Sequence, residues 1–380
     1  MQLPEVAALS DVGRQRDHNE DAWAILPDIG VLAVADGMGG LEHGEIASAT
    51  AISTLKAAEN ALRTVVSAVD NSPERGPRSQ LGQAMELLSN LASQRIQQVT
   101  RGAPSGTTLV VACISGGHLL VANTGDSRAY IYRDGALRCL TDDHTVAAAR
   151  LRAGLITKEE HDASPYQHML YQALGTQGEV DPDLFDEPVA AGDIVLLCSD
   201  GLTGPVDEPQ LGELLGSDPD LDRVARALID AANTNGGPDN ITVVLARVPE
   251  GVDAHRLESE RRTLTESTVL QHLSDVDRRL LRHYLDRVNL TAGASVDAAR
   301  GIHMVLSGAL KADGDDTLLG PGSVCCADIF ARGEGECALT AAEDTEALVL
   351  SSDSYEALER RRPRVAARLM RGLLQVMAGE

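Results

Sequence analysis

The amino-acid sequence predicts an α+β protein with two domains. Its 380 residues are enough for two domains and at least one full-sized core. Over the first 248 residues, short Val-, Leu- and Ile-rich runs alternate with amphipathic stretches, which predicts strands interleaved with helices. A polar, charged stretch at 250–263 then precedes a shorter part with its own helix and strand patterns. We therefore expect a larger first domain, a linker and a smaller second domain.

The predicted strands of the first part are aliphatic runs, several of them bounded by glycine or Asp-Gly turns. They are residues 31–36, 107–115, 118–126, 128–135, 193–200 and 240–248. Apolar residues at helical spacing predict helices over 44–70 and 79–100, and the prolines and glycine of 72–78 predict a loop between them. A polar, helical pattern over 143–175 indicates a small insertion between strands.

The second part reads as a small α+β domain. A Pro-Glu-Gly turn at 249–251 ends the last predicted strand of the first part. Ser274 is expected to cap a helix over 274–288, with Asp277 completing a weak capping box. Short strand-like runs follow, and helices flank Pro363. The predicted boundaries are 1–249 for the first domain, 250–263 for the linker and 264–380 for the second domain.

Composition excludes several classes of function. The net charge of −24 argues against a nucleic-acid partner, because such a partner requires clustered Lys and Arg. An acidic surface suits a protein that gathers cations, although it more often reflects solubility alone. No apolar stretch approaches the roughly 20 residues of a membrane span, and no signal-peptide pattern precedes the first strand. We expect a cytoplasmic protein with reduced cysteines and no membrane association.

Acidic residues fall beside the predicted strands of the first domain. One Asp-Gly turn would be unremarkable, but several acids at strand ends form a pattern. Clustered carboxylates raise each other's pKa unless a cation lies between them, and Mg²⁺ and Mn²⁺ prefer oxygen ligands. The pattern predicts a site for two or more divalent ions, which can lower the pKa of a shared water for attack on phosphorus. The acids are Glu20, Asp21, Asp36, Asp126, Asp200 and Asp239.

The glycine-rich loop after Asp36 is not a nucleotide cradle. The stretch DGMGGLEHG has neither the Gly-Lys-Ser/Thr ending of a Walker loop nor the GxGxxG spacing of a dinucleotide fold. Gly37 can instead bring its backbone carbonyl close to a metal ion, since no side chain stands in the way.

Seven motifs follow one another in a fixed order over residues 8–248. They are SDVGRQRDHNEDA (10–22), VADGMGG (34–40), SGTTLVV (105–111), NTGDSRAY (123–130), LTDDHT (140–145), SDGL (199–202) and GGPDNITVV (236–244). In this order they resemble the metal-dependent PP2C-type serine/threonine protein phosphatases in their bacterial form. The resemblance implies an α-β-β-α sandwich of two antiparallel sheets between helices. It also implies an enzyme that removes phosphate from phosphoserine and phosphothreonine in proteins, in opposition to kinases.

The resemblance implies roles for the acids and for Mg²⁺ or Mn²⁺ as cofactors. Asp36 would bridge two ions, and the Gly37 carbonyl would bind one of them. Asp200 and Asp239 would ligate the second ion. The positions implied for metal-bound waters are Glu20 and Asp21, and the pair implied for a third, weaker ion is Asp126 and Asp200.

Arg16 lies four residues before Glu20, where the family has its phosphate-binding arginine. A guanidinium can clamp two phosphate oxygens in a bidentate fork. Arg14 is the competing candidate, and the spacing favours Arg16. The segment 143–175 resembles the family's flap beside the active site. Its His161 and His168 could face the substrate, but solvated positions are favoured.

Two departures from the family pattern affect proton transfer. Leu41 stands where bacterial members often have His, and His43 follows two residues later. Met38 occupies the position of the histidine proposed as general acid in eukaryotic relatives. We expect a metal-bound water to protonate the leaving serine oxygen, with His43 as second candidate. Because the implied metal ligands are intact, an active enzyme is expected; the alternative is a non-catalytic scaffold that keeps the fold.

Residues 264–380 resemble the cyclic-nucleotide-binding domain, a β-roll with flanking helices. The resemblance lies in TVLQHLSDVDRRLLRHYLDRV, MVLSGAL, LLGPGSV and TAAEDTEALVLSSDSYEAL. The ligand positions do not match, since Cys326-Ala327 replaces the family's Gly-Glu pair and Glu336 replaces its phosphate-binding Arg. A carboxylate repels phosphate, and Arg332 could substitute only with a shifted loop. We predict no cyclic-nucleotide binding and expect an interaction, sensing or homodimerisation role, with Cys325 and Cys326 packing rather than reacting.

Overall fold

The computed structural model describes residues 4–39, 43–72, 75–176, 178–251, 254–296, 301–312, 317–325 and 339–378. The chain divides into two compact units, Met1–Pro73 with Pro77–Val252 and Glu74–Gly76 with Asp253–Glu380. Predictions about Leu41, Cys326, Ala327, Arg332 and Glu336 lie outside the described residues.

Among the described residues of the first unit, eleven strands form two antiparallel sheets. The strands are β1 (Glu5–Asp11), β2 (Asp21–Leu26), β3 (Val31–Gly39), β4 (Ser105–Thr107), β5 (Leu109–Ser115), β6 (His118–Thr124), β7 (Arg128–Arg133), β8 (Ala136–Cys139), β9 (Asp183–Pro188), β10 (Ile194–Cys198) and β11 (Ile241–Arg247). One sheet has the order β1-β11-β10-β7-β8, and the other has β2-β3-β5-β6-β9 with β4 paired to β3. Strands β2 and β3 contact β11, so the two sheets face each other.

Six helices of the described residues cover the outer faces of the sheets: α1 (His43–Ala57), α2 (Glu59–Asn71), α3 (Arg75–Val99), α6 (Asp200–Thr203), α7 (Glu208–Leu215) and α8 (Leu221–Thr234). The short helices α4 (Val146–Arg152) and α5 (Lys158–Asp162) lie in the flap segment 143–175. Aliphatic residues of α1, α2 and α3 form one core with the sheet that contains β3. Residues of α6, α7 and α8 form a second core with the sheet that contains β10. The layers are therefore helix, sheet, sheet, helix, as the resemblance implied.

Some predicted boundaries were wrong. The predicted helix 44–70 is two helices, and the predicted loop at 72–78 gives way to α3 from Arg75. Pro77 lies in the first turn of α3, where its missing N–H removes no helical hydrogen bond. Asp36 lies inside β3 rather than at its end, because β3 continues to Gly39 and pairs there with β4. Asp200 begins α6 instead of closing a strand.

The second unit has its own helices and sheets. Its elements are α9 (Ala254–Glu266), α10 (Asp275–Arg282), β12 (Asp286–Leu290), β13 (Ile302–Ser307), β14 (Leu310–Ala312), β15 (Leu318–Leu319), β16 (Val324–Cys325), β17 (Leu339–Ala341), β18 (Thr345–Leu350), α11 (Ser352–Arg361) and α12 (Pro363–Ala378). The described strands form a four-stranded sheet, β12-β18-β13-β16, and a three-stranded sheet, β15-β14-β17. A small apolar core includes Val305, Leu310 and the buried Cys325.

Two local predictions for the second unit had different outcomes. The capping box of Ser274 and Asp277 is confirmed, since each side chain accepts a hydrogen bond from the other's backbone N–H. The predicted helix 274–288 was wrong at its end, because α10 stops at Arg282 and β12 pairs with β18. Within the predicted linker, α9 begins at Ala254. Across the described parts of the chain, every helix is too short or too polar to cross a membrane.

Candidate active site

Neighbouring strands β2 and β3 place Asp21 and Asp36 directly opposite each other. The backbone of Asp36 is fixed on both sides, because its N–H donates to Thr108 Oγ1 and its carbonyl accepts from Thr107 Oγ1, each at 2.9 Å. Thr107 and Thr108, which the sequence marks only as part of a motif, therefore hold the Asp36 peptide in place.

Gly37 lies where a side chain could not fit. An added Cβ would lie 2.2 Å from the Gly44 carbonyl oxygen and 2.5 Å from that of Glu20. The Gly37 N–H donates to the Glu20 carbonyl at 3.1 Å, and the buried Glu20 side chain reaches Gly44 in the first turn of α1. This close approach, rather than a turn conformation, explains the glycine after Asp36.

The second sheet contributes acids from the loops beside β10 and β11. Asp200 follows β10 at the start of α6, and Asp239 immediately precedes Asn240 and β11. Ser199 Oγ donates to Asp21 Oδ2 at 2.8 Å, so the acid of one sheet is hydrogen-bonded to the other sheet. Acids from both sheets thus converge on one place.

Burial and mutual repulsion raise the pKa values of these acids. Burial raises the pKa of Asp36 well above its ordinary value, and the carboxylates of Asp21, Asp200, Asp126 and Asp239 raise it further. Burial also raises the pKa of Asp21 to about 7, with Asp200 and Asp239 adding to the effect against two hydroxyl hydrogen bonds. The pKa of Asp126 rises to about 8 through burial and through Asp200. Burial and repulsion therefore favour the protonated form of all three carboxyls, and a cation beside them would favour the ionised form.

The donor set fits a hard divalent cation. Asp21 Oδ1 is buried and has no hydrogen-bond partner within the described residues, which leaves an oxygen lone pair available. Asp126, His168 and Asp200 each offer a ligand atom, and these atoms lie within 4.8 Å of one another. Carboxylate oxygens suit Mg²⁺ and Mn²⁺, and the single imidazole is tolerated better by Mn²⁺.

His168 is the site residue that the sequence interpretation missed. Its side chain is exposed, as expected, yet its Nδ1 lies 3.4 Å from Asp200 Oδ2. That hydrogen bond raises the pKa of His168. The flap pattern gives no register relative to the sheets, so no sequence signal could bring His168 to Asp200. His161 instead hydrogen-bonds the adjacent Asp162.

Arg16 lies beside the acids. Its Nη2 is 2.7 Å from Asp239 Oδ2, and 48% of its side chain is exposed. Arg14 instead pairs with Asp11 at 3.3 Å and donates to its neighbour's carbonyl. The Asn240 side chain organises the loop that carries Arg16, by accepting from the Glu20 N–H and donating to two loop carbonyls.

A cleft of about 540 Å³ lies between the acids and the flap. Its lining includes Asp126 and Asp200 on one side and His161 and His168 on the other. His43, the second candidate for proton donor, begins α1, and its buried Nδ1 has no hydrogen bond to any described residue. The cleft gives a substrate access to the acids from the flap side.

Comparison with known proteins identifies the family. The sequence model of the family Protein phosphatase 2C matches residues 13–246. The chain belongs to this family. The phosphatase is 36% identical over 239 residues to the serine/threonine phosphatase stp of Listeria welshimeri, which covers 62% of this chain and 92% of the relative. It is 36% identical over 242 residues to PstP of Mycobacterium tuberculosis, covering 64% of this chain and 44% of the relative.

Solved structures give the same result. The phosphatase resembles the Mycobacterium tuberculosis phosphatase PstP/Ppp with a TM-score of 0.56 and 34% identity, over 66% of this chain and all of that one. It also resembles the PstP catalytic domain in complex with two manganese ions, with a TM-score of 0.53, 33% identity, and coverage of 65% and 99%. The predicted α+β fold, protein phosphatase activity and use of Mn²⁺ or Mg²⁺ are confirmed.

Proposed function

We propose that this phosphatase hydrolyses phosphoserine and phosphothreonine in proteins at the acids shared by its two sheets. The observation that carries the proposal is the convergence of the half-buried Asp21 and Asp36 with the buried Asp126, whose pKa values are raised by burial of the carboxyl groups and by mutual repulsion. Relatives named serine/threonine phosphatases support the substrate class. The substrates are phosphoproteins made by serine/threonine kinases.

The proposed ligand set divides the acids by position. Asp36 has acids of both sheets as electrostatic neighbours and would bridge two ions, with Asp200 and Asp239 as ligands of the second. When bound, the ions lower the pKa of a coordinated water and thereby supply the nucleophile. The Gly37 carbonyl is proposed to bind one of the two ions, and Glu20 and Asp21 are proposed to hold waters of the site. Asp126, with Asp200 and His168, is proposed to bind a third, weaker ion.

Arg16 is proposed to bind the substrate phosphate. Its half-exposed guanidinium is held beside Asp239 by one ion pair, and the guanidinium has donors for a second partner. Two parallel hydrogen bonds to phosphate oxygens would orient the phosphorus for in-line attack. The leaving serine or threonine oxygen takes its proton from water in the cleft, with His43 as second candidate.

The second unit is proposed to be a regulatory or interaction domain related to the cyclic-nucleotide-binding fold. Its two small sheets support a β-roll of this kind, because helices precede and follow their strands along the chain. The charge reversal at Glu336 argues against cyclic-nucleotide binding, and homodimerisation through this unit is one expected role. Isothermal titration of the full chain with cAMP tests the proposal, and micromolar binding would overturn it.

Hydrolysis of p-nitrophenyl phosphate and of a phosphothreonine peptide tests the proposed site. Asp36→Asn should lower kcat/KM at saturating Mn²⁺ on the order of 10³-fold, because bridging ions supply several kcal/mol to the transition state. Asp70→Asn is the matched control, since Asp70 accepts hydrogen bonds from Ser115 and Gly116 away from the site. Absence of Mn²⁺-dependent turnover in the wild type would favour the scaffold alternative. Equal activity in wild type and Asp36→Asn would remove Asp36 from the site.

A further inference from the structure

The motif LTDDHT contains a histidine for which the proposed mechanism has no use. His144 is 1% exposed, stands at the N-terminal end of the flap segment 143–175 and contacts two other parts of the first unit. One part is the loop at Gly125 and Asp126, and the other is the C-terminal end of the flap at Tyr171 and Gln172. A buried imidazole that contacts both the Asp126 loop and the flap can set the position of each.

His144 is fastened to the Asp126 loop by two hydrogen bonds. Its backbone N–H donates to the Gly125 carbonyl at 3.0 Å, and the Gly125 N–H donates to His144 Nδ1 at 3.3 Å. Gly125 has φ +109°, and an added Cβ would lie 2.6 Å from Thr108 Cγ2. The loop is therefore packed between His144 and Thr108, the residue whose hydroxyl accepts from the Asp36 N–H.

The same histidine holds the flap. The Tyr171 N–H donates to the His144 carbonyl at 2.9 Å, and the Tyr171 ring stacks on the imidazole with centroids 5.3 Å apart. Gln172 Nε2 donates to His144 Nδ1 at 3.1 Å. Nδ1 thus accepts from the flap and from the Asp126 loop at once.

The other ring nitrogen connects His144 to the sheet. Because two donors face Nδ1, the proton lies on Nε2, which donates to Asp183 Oδ2 at 3.3 Å. Asp183 is on β9, opposite Asn123 at the end of β6. The imidazole is therefore held by the sheet on one side, and its acceptor side contacts the Asp126 loop and the flap.

We propose that His144 is a positioning residue that sets the Asp126 loop for metal binding and couples that loop to the flap. The proposal rests on the proposed role of Asp126 in the third metal site. A ligand-supporting hydrogen bond of this kind typically changes metal affinity by about 10–100-fold. Flap position and affinity at the Asp126–Asp200 pair then change together, since both depend on the acceptor Nδ1.

Two substitutions separate the two sides of the ring. His144→Asn keeps an acceptor near the position of Nδ1 and loses the donor to Asp183, whereas His144→Gln reaches the position of Nε2 and loses the acceptor. Mn²⁺ binding to the full-length protein is measured by isothermal titration, with kcat and KM for a phosphopeptide as a function of Mn²⁺ concentration. We expect His144→Gln to weaken the weakest Mn²⁺ site about 10–100-fold and His144→Asn to change it by less than about threefold.

A control histidine lies at the opposite end of the same strands. His118 begins β6 and pairs through Nδ1 with the buried Asp186 at 2.8 Å. His118→Gln should lower the melting temperature and leave all Mn²⁺ affinities unchanged. If His144→Gln also lowers only the melting temperature, or if His144→Asn and His144→Gln weaken Mn²⁺ equally, the positioning role is overturned.

Asp126→Asn separates a failure of this proposal from a failure of the proposed site. If Asp126→Asn leaves Mn²⁺ binding unchanged, the third metal site itself is wrong. If Asp126→Asn removes the weak site while His144→Gln keeps it, Asp126 is a ligand and His144 does not position it. Loss of the weak site in both variants, with retention in His144→Asn, supports the coupling.

Discussion

The acids at the two ends of the first unit's sandwich differ in their partners. Where β6 and β10 begin, each buried acid has an arginine: Asp186 pairs with Arg78 at 2.5 Å, and Asp193 pairs with Arg133 at 2.6 Å. Where the same strands end, the acids cluster with one another. In the described ranges of the chain, no Lys or Arg forms an ion pair with Asp21, Asp36 or Asp126.

This difference distinguishes a structural end from the end that is proposed to bind the metal ions, the catalytic end. A buried charge without a partner costs several kcal/mol, and the first end shows that this chain can supply arginines where it needs them. Leaving three acids without such partners at the other end destabilises the metal-free protein. Cations bound at the proposed site would offset this cost, so the stability of the catalytic end should depend on Mn²⁺ or Mg²⁺.

The largest expected effect is on stability at the structural end. Asp186→Asn should lower the free energy of unfolding by about 3–5 kcal/mol, because it leaves the buried Arg78 guanidinium without its carboxylate. Urea denaturation in EDTA measures this, and activity per folded molecule should be unchanged. Asp36→Asn under the same conditions should be neutral or stabilising, since it removes a repelled carboxylate. Comparable destabilisation by both substitutions would contradict the division into two ends.

The second effect is the stabilisation by metal at the catalytic end. Mn²⁺ at 100 times its Kd should add about 2.7 kcal/mol of stability per site. Asp186→Asn should retain this increment, and Asp36→Asn should lose most of it. Urea denaturation with and without Mn²⁺ measures the gain in the free energy of unfolding for each variant. An equal gain in the two variants would show that the ions bind at a site without Asp36.

The third effect is a pH dependence confined to the metal-free catalytic end. The pKa of Asp21 is about 7 and that of Asp126 about 8, both above the ordinary 3.8, so the folded protein holds protons that the unfolded chain has released. Their contribution to stability is therefore complete below about pH 4 and is lost as the pH rises through 7 to 8.

Asp21→Asn isolates this pH dependence from the other titrating groups. In EDTA, wild type should lose stability relative to Asp21→Asn between pH 5 and pH 8, as measured by urea denaturation at each pH. Saturating Mn²⁺ should abolish the trend, because the bound ion favours the ionised carboxylate. A difference that stays constant over this range would show that Asp21 is already ionised at pH 5.

The sequence indicated which acids to consider more readily than it indicated which residues contact them. An aliphatic run followed by an acid is a local pattern, so Asp36 and Asp200 could be found without knowledge of the sheet order. The pairing of Asp21 with Asp36 could not, because β2 carries the exposed Trp23 and lacks a clear aliphatic run. Contacts of His168 and His144 depend on how the flap folds back over the sheets, and residue order does not specify this.

The smallest expected effect concerns Arg16, the arginine beside the acids at the catalytic end. Unlike the buried Arg78, it is half-exposed and pairs with Asp239 by one nitrogen, so it can exchange its partner for phosphate. Arg16→Ala should raise KM for a phosphopeptide about tenfold, which corresponds to one charge-assisted hydrogen bond, and should barely change the melting temperature. Arg14→Ala is the matched control, since Arg14 pairs with Asp11. If Arg16→Ala lowers the melting temperature and leaves KM unchanged, Arg16 only neutralises an acid, as Arg78 does. The contrast between the two ends would then rest on Asp21, Asp36 and Asp126 alone.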